Sequence, residues 1–192
     1  MFFDSHLDLK QHISNVCRSC YFHLRQLHIV RWSLPPSVLQ TSLHSFVSCR
    51  LDYCNSLMAG LPLCNIQCLQ SVQNAAAHLF GDVSKWGSVV PVLPDDLHWL
   101  PIKQWIDFKI SVFSFKVIKG LAPQYLVEML TPVAANPALR RNRSADLGNL
   151  IIYTVKSMSY GRRSFAIAGP SFETVYLLIF AVAHRWLNIN QS

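Results

Sequence analysis

The sequence predicts a mainly α-helical protein, an irregular bundle of about five helices with one small β-hairpin near residues 150–168. Apolar residues recur at three- and four-residue steps through most of the chain, and Pro or Gly stands where these patterns begin and end. Of the 192 residues, 51% are apolar and 14% are charged, against about 25% charged in an average soluble domain. This composition excludes a disordered acidic tail, a solvated coiled coil and a collagen-like or low-complexity chain.

The first helix is predicted over residues 10–30. Its apolar stripe follows helical steps and consists of Ile13, Val16, Cys17, Cys20, Leu24 and Leu27. Pro35-Pro36 ends this segment and starts the second helix, because proline suits a first turn and cannot continue a helix. The second stripe extends from Leu39 to Leu61, where Gly60 and Pro62 supply a stop signal.

The third helix is predicted over residues 66–80 and ends at Gly81. Residues 81–100 contain prolines, glycines and no sustained period, which predicts a loop. Pro101 begins the fourth helix and Gly120 ends it. Apolar residues cover most of its circumference, so we expect it to be central in the bundle or covered by a protein partner. A short fifth helix follows over residues 123–130.

Beyond residue 150 the pattern changes. Residues 150–155 are β-branched and aromatic, residues 159–162 have turn composition, and residues 164–168 are apolar again. This order predicts a small β-hairpin.

The six cysteines and the N-terminus bear on the compartment. No basic segment followed by an apolar stretch opens the chain, so we expect no secretory signal, reduced thiols and a cytoplasmic or nuclear location. Cys17 and Cys20 with His23 resemble half of a zinc site, but no second pair follows at zinc-finger spacing. We therefore expect core packing there, and no metal or other cofactor. The apolar run 175–183 is too short to span a bilayer, so we expect no membrane partner.

Catalytic motifs are missing from the sequence. There is no phosphate-binding glycine loop, no metalloprotease motif and no nucleophile elbow. The one adjacent acidic pair, Asp95-Asp96, has prolines and leucines around it that are typical of turns and helix caps. The sequence therefore predicts a protein that is not an enzyme.

Positive charge is grouped in two parts of the chain, and the formal net charge is +7. Residues 10–50 contain five cations and no acid, and residues 140–163 contain six cations and one acid. Grouped guanidinium groups suit phosphate contacts, although a solvated basic face has the same composition. The candidate nucleic-acid-binding residues are Arg18, Arg25, Arg31, Arg50, Arg140, Arg141, Arg143, Arg162 and Arg163.

Six stretches, taken in order over about residues 2–171, resemble one family, the reverse transcriptases of non-LTR retrotransposons (LINE elements of the jockey-like or chicken-repeat type). They are HISNVCRSCYFHLRQL (12–27), SCRLDYCNSL (48–57), LQSVQNAAAHL (69–79), LHWLPIKQWIDFKI (97–110), GLAPQYL (120–126) and YGRRSFAIAGPS (160–171).

The resemblance implies the C-terminal part of such an enzyme, the thumb and the region after it, which grips the template–primer duplex. The family's catalytic aspartates lie upstream of the match, so no catalytic residue is carried over. Three residues depart from the family pattern, since relatives usually carry Arg at Trp32, His78 and Trp105, and the chain after Ser171 is unrelated. The implied organisation is a helical thumb-like region over residues 1–131, a basic loop and hairpin over 132–171, and a divergent apolar tail over 172–192.

The expected function is a non-catalytic remnant of that polymerase, with at most weak RNA/DNA duplex binding through the basic clusters. Two alternatives stay open. One is a helical interaction protein with a protein partner on the fourth helix, and the other is a translated relic with no selected function.

Overall fold

A computed structural model describes residues 8–82, 97–130, 150–151 and 163–170. The predicted mainly helical fold is confirmed in this part of the chain. The chain divides into two compact units, Met1–Ile106 and Asp107–Ser192.

The helices are α1 (Lys10–Val30), α2 (Pro36–Leu43), α3 (Cys49–Asp52), α4 (Leu63–Gly81), α5 (Ile102–Ile118), α6 (Gln124–Val127) and α7 (residues 165–170). Short 3-10 turns lie at Arg31–Ser33 and Asn55–Met58, and a π-turn, His44–Ser48, joins α2 to α3.

Helix α1 packs against α4 to form the centre of the first unit. The predicted stripe of α1 is largely buried, with Ile13, Cys20 and Leu24 at most 6% exposed. The facing side of α4 includes the fully buried residues Val72 and Ala76. A side chain as small as alanine lets the two helices approach closely, and burial of the apolar stripes supplies the main stabilisation.

The second helix differs from its prediction. The helical segment ends at Asp52 rather than continuing towards Leu61, because Tyr53 is extended and Cys54 has a left-handed backbone with a φ of 56°. Asn55 is buried there, and its Nδ2 donates to Asp52 Oδ1 at 3.4 Å. Short polar side chains that bond locally compete with the helix, and they favour a turn at this point.

Two glutamines on α4 hold the start of α5. Gln73 is fully buried, and its Nε2 donates to the carbonyl oxygen of Leu100 at 2.9 Å. Gln70 donates to Gln73 Oε1 at 2.9 Å and accepts a hydrogen bond of the same length from the backbone N–H of Ile102. These bonds satisfy buried polar groups and also one of the unpaired N–H groups at the start of a helix.

In the described part of the second unit, Val117, Leu130 and Leu150 form a buried apolar cluster. The predicted hairpin is wrong in its second strand, because residues 165–170 are helical. Ser164 begins this helix, since its carbonyl oxygen accepts the N–H groups of Ile167 and Ala168. The residues between the two predicted strands, 152–162, lie outside the described part of the chain.

Close packing explains why α7 contains a glycine. A Cβ at Gly169 would lie 2.9 Å from Ser114 Oγ on α5. Ser114 is fully buried, and its hydroxyl donates to the carbonyl oxygen of Ile110 at 3.1 Å. A larger residue at position 169 would therefore displace this buried serine.

Candidate nucleic-acid interface

Five of the nine candidate arginines lie in the described part of the chain. They are Arg18, Arg25, Arg31, Arg50 and Arg163, whereas Arg140, Arg141, Arg143 and Arg162 lie outside it. Two of the five, Arg25 and Arg31, contribute to one common surface.

That surface is a groove between α1 and α4 with a volume of about 520 Å³. We call it the α1–α4 groove. Its polar lining consists of Tyr21, Arg25, His28, Arg31, His78 and Asp82. Tyr21, Arg25 and His28 are spaced by four and three residues, which places them on one side of a helix. The opposite wall comes from the last turns of α4.

Arg31 is bound within this groove by Asp82, with which it forms a hydrogen-bonded ion pair. Its side chain is 15% exposed and that of Asp82 is 61% exposed. Asp82 follows the end of α4 in a left-handed conformation, with a φ of 52°. The carboxylate neutralises Arg31, so the positive charge of the groove comes mainly from the exposed guanidinium of Arg25.

Trp32 stands beside the groove on the 3-10 turn after α1. Its side chain is 80% exposed. The guanidinium carbon of Arg31 lies 4.9 Å from the centroid of the indole ring, which is the geometry of a cation–π contact. One end of the groove therefore combines a cation with an accessible aromatic face.

Arg50 belongs to a different surface. Its Nη2 lies 3.2 Å from His23 Nε2, and the His23 ring stacks on Phe46 with centroids 5.0 Å apart. His23 and Arg25 are two residues apart on α1, so their side chains point about 200° apart around the helix. The sequence grouped Arg50 with Arg25, but the fold separates them.

A second cavity, of about 540 Å³, lies on this other side of α1 and is lined by His12, Ser19, Ser45, Cys49, Arg50 and Tyr53. His12 is 5% exposed, and its Nε2 has no hydrogen-bond partner. Burial lowers the pKa of His12, because the charged ring loses its hydration.

The cysteines of α1 lie towards the core. Cys20 is fully buried and Cys17 is half-buried. Burial raises the pKa of each thiol to about 11, so both are neutral at physiological pH and are poor nucleophiles. Within the described ranges, no group of three or more His, Cys, Asp or Glu residues is arranged to hold a metal ion.

The remaining two arginines stand apart from both cavities. Arg18 is exposed on α1, two turns before Arg25. Arg163 is partly buried at the start of the α7 region in the second unit. The five described candidate arginines are therefore distributed over several surfaces.

Sequence reasoning missed several residues of the α1–α4 groove. Tyr21 and His28 could have been found from their helical spacing to Arg25. Asp82 could not, because it pairs with an arginine 51 residues away and no local pattern connects the two. His78 was noted as a departure from the family pattern, but its place opposite α1 depends on helix packing.

None of the described helices is both long enough and apolar enough to cross a membrane. No protein-family model, curated protein or solved structure matches this chain.

Proposed function

We propose that the chain is a non-catalytic remnant of the thumb region of a non-LTR retrotransposon reverse transcriptase, and that it binds RNA/DNA duplex weakly through phosphate contacts. The proposal combines the family resemblance with one observation of geometry. Arg25 and Arg31 line the same groove.

A phosphate group suits this groove for two reasons. Arg25 is exposed and offers a guanidinium that can donate two parallel hydrogen bonds to phosphate oxygens. Arg31 already binds a carboxylate oxygen of Asp82, and a phosphate oxygen can take the place of that oxygen. Neutralising phosphates releases counterions, which makes the affinity fall as salt rises.

The same geometry accounts for weak binding. Each neutralised phosphate contributes a slope of about −0.9 to the dependence of log K on log salt concentration. Two arginines, one of them bound to Asp82, predict a slope of about −1 to −2. The expected dissociation constant is about 10⁻⁴–10⁻⁶ M, which is typical of non-specific binding.

A filter-binding titration of the whole chain with labelled RNA/DNA duplex, repeated at several salt concentrations, tests the proposal. Arg25→Ala is expected to make the salt slope shallower by about 1. Lys103→Ala removes one charge that is also exposed, from another helix, and serves as the matched control. Undetectable affinity, affinity independent of salt, or equal effects of the two substitutions would contradict the proposal.

Asp82→Asn provides a test in which duplex affinity is expected to rise, whereas Arg25→Ala is expected to lower it. Asn tolerates the left-handed backbone of this position, so the helix end is retained. Removing the carboxylate releases Arg31 for phosphate, so duplex affinity is expected to rise and the salt slope to steepen by about 1. If affinity stays the same, Arg31 serves only to join the ends of α1 and α4.

A second candidate function is protein binding, and the second unit carries the observation that favours it. Phe115, Leu121 and Tyr125 on and after α5 are 50%, 71% and 62% exposed. Large apolar side chains exposed together are typical of interaction surfaces. Light scattering that shows a concentration-dependent oligomer, reduced by Leu121→Ser, together with no nucleic-acid affinity, would favour this function over the first.

A further inference from the structure

Helices α1 and α4 run in the same direction and meet at an offset of 51 residues. Arg31, just after α1, binds Asp82, just after α4, and 51 positions separate the two residues. Leu24 and Ala75, seven residues before each of them, line the same α1–α4 groove. Residues at this offset therefore lie opposite each other along one edge of the helix pair.

One step of seven residues further back along both helices, this register places Cys17 opposite Cys68. A seven-residue spacing returns a side chain to nearly the same side of a helix. Positions 17, 24 and 31 therefore share an edge with positions 68, 75 and 82. The cysteine pair lies two such steps, or about 21 Å, from the ion pair of Arg31 and Asp82.

Electrostatic contacts of the thiols agree with this placement. Burial raises the pKa of the Cys17 thiol to about 11, and the neighbouring Cys68 thiol contributes to the rise. The pKa of Tyr21 is raised by burial and, to a smaller extent, by the thiols of Cys17 and Cys68. Tyr21 lies one turn after Cys17 and lines the groove. The two thiols therefore lie near the end of the groove that is remote from Asp82.

The two thiols are accessible to different degrees. Cys68 is exposed, and its Sγ donates to the carbonyl oxygen of Cys64 at 3.3 Å. Cys17 is half-buried, and Cys20, the other thiol of α1, is fully buried. A reagent in solution therefore reaches Cys68 first, and Cys17 is the thiol of α1 that can react next.

We propose that Cys17 and Cys68 are a redox modification site, at which a small-molecule disulfide such as oxidised glutathione converts the two thiols into a disulfide bond between α1 and α4. Such a bond brings its two α-carbons to about 5.5–6 Å. Ala75 and the fully buried Ala76 have small side chains, which favours a close approach of the two backbones. The proposal goes beyond duplex binding and does not depend on it.

Two thiol–disulfide exchanges form the bond. Cys68 loses its proton to water, and its thiolate attacks one sulfur of the small disulfide. A mixed disulfide forms, and one small thiolate leaves and takes up a proton. The thiolate of Cys17 then attacks Cys68 Sγ, the protein disulfide forms, and the second small thiolate leaves in the same way. Two protein thiols are thereby oxidised, and one small disulfide is reduced to two small thiols.

The second exchange is the slower one. Because the pKa of Cys17 is raised to about 11, only a small fraction of its thiol is ionised at neutral pH. The exchange is intramolecular, however, and the position of Cys17 opposite Cys68 offsets this small fraction. The reaction is therefore best measured at equilibrium.

Incubation of the whole, reduced chain with a mixture of oxidised and reduced glutathione tests the proposal. After the remaining thiols are blocked with a maleimide, the intact mass is expected to show that two of the six cysteines have escaped blocking. Trypsin cleaves after Arg18 and separates Cys17 from Cys20, so the digest is expected to contain a cross-linked peptide that includes Cys17. The same treatment in guanidinium chloride should give a mixture of pairings.

Cys68→Ser is expected to abolish the cross-link. Cys64→Ser is the matched control, because Cys64 is also exposed and lies one turn earlier on α4, and it should leave the cross-link intact. Cys17→Ser should stop the reaction at the mixed disulfide, so that glutathione is retained on Cys68. Thermal unfolding of each reduced variant verifies that the fold is retained.

The bond also closes a loop that contains α2 and α3, which restricts the unfolded chain. The thermal midpoint of the oxidised protein is therefore expected to lie about 10 °C above that of the reduced protein, with no such rise in Cys68→Ser. A mixed disulfide without a cross-link, a cross-link that Cys64→Ser removes, or the same mixture of pairings in folded and denatured protein would overturn the proposal. Duplex affinity of the reduced protein is a separate measurement, so either proposal can fail alone.

Discussion

The two compact units differ in the side chains at their candidate binding surfaces. In the first unit, Gln70 and the buried Gln73 are hydrogen-bonded to each other, and Arg25 and Arg31 line the α1–α4 groove. In the described part of the second unit, Val117, Leu130 and Leu150 form a core cluster, and large apolar residues such as Leu121 and Tyr125 are exposed. The proposed phosphate-binding groove therefore lies in the first unit, and the exposed residues on which the second candidate function rests lie in the second.

Truncation of leucine is expected to have the largest effect and tests the difference in burial directly. Leu43 is fully buried in the first unit, whereas Leu121 is 71% exposed in the second. Leu43→Ala removes buried methyl groups and leaves a cavity, so the free energy of unfolding is expected to fall by about 3 kcal/mol. Leu121→Ala should change it by less than about 0.5 kcal/mol. Urea denaturation measures both, and similar losses would contradict the comparison.

Glutamine substitutions come next in size. Gln73 makes its hydrogen bonds in the buried first unit, and Gln124 donates to Glu128 Oε1 at 3.0 Å on the exposed surface of α6. Gln73→Ala removes a fully buried side chain and its hydrogen bonds to Leu100 and Gln70, so a loss of about 2 kcal/mol is expected. Gln124→Ala should cost no more than about 0.5 kcal/mol. If chemical denaturation gives equal losses of unfolding free energy for the two substitutions, the buried hydrogen bonds of Gln73 do not stabilise the first unit more than a surface pair does.

The helix ends provide a smaller test. A left-handed residue follows both α4 and α5, but it is Asp82 after α4 and Gly120, whose φ is +67°, after α5. The N–H of Leu121 donates to the carbonyl of Lys116 at 2.8 Å and completes this turn. Gly120→Ala meets no neighbouring atom, so its expected cost of about 1 kcal/mol is backbone strain alone.

Gly120→Asn is the control for that substitution. Asn adopts the left-handed conformation more readily than Ala, so its thermal midpoint should lie between those of the unsubstituted protein and Gly120→Ala. A lower midpoint for Asn than for Ala would show that the cost comes from something other than backbone conformation.

The dependence of stability on pH is the smallest expected effect. The first unit buries His12, and no histidine occurs in the described residues of the second unit. Burial holds the pKa of His12 below 6.5 in the folded state, so below pH 6.5 the unfolded chain binds more protons. Stability is therefore fully present above pH 6.5 and is lost as pH falls through that value towards the lower pKa of the folded state.

His12→Leu replaces the imidazole with an apolar group of similar size and removes the titratable group. The unfolding free energy of the unsubstituted protein should fall more steeply than that of His12→Leu between pH 7.5 and pH 5.5. Parallel profiles would mean that His12 does not contribute to the pH dependence.

Much of the helical fold followed from local chemistry. The stripe of α1, the start of α2 at Pro36 and the end of α5 at Gly120 all depend on residues within a few positions of one another. The turn at Cys54 had no such signal, because a left-handed cysteine lacks the usual glycine. Helix α7 was misread because an apolar run of five residues suits a buried strand and a buried helix equally well.

The candidate site was less predictable for a related reason. Grouping of arginines along the sequence does not determine which of them share a surface, since this depends on the direction of each side chain around α1. Arg25 lies on one side and Arg50 contacts His23 on another. The pairing of Arg31 with Asp82 joins residues from the ends of two helices, and only the packed fold brings them together.

The number of residues in the π-turn between α2 and α3 determines the direction in which the side chains after it point. Within it, the N–H of Cys49 donates to the carbonyl of His44, five residues earlier, so the turn contains one residue more than an α-helix would. Each helical residue rotates the chain by about 100°. Loss of a single codon here would return the segment to ordinary helix and rotate Arg50 away from His23. The contact between Arg50 and His23 therefore depends on the length of the turn as well as on the identity of its residues.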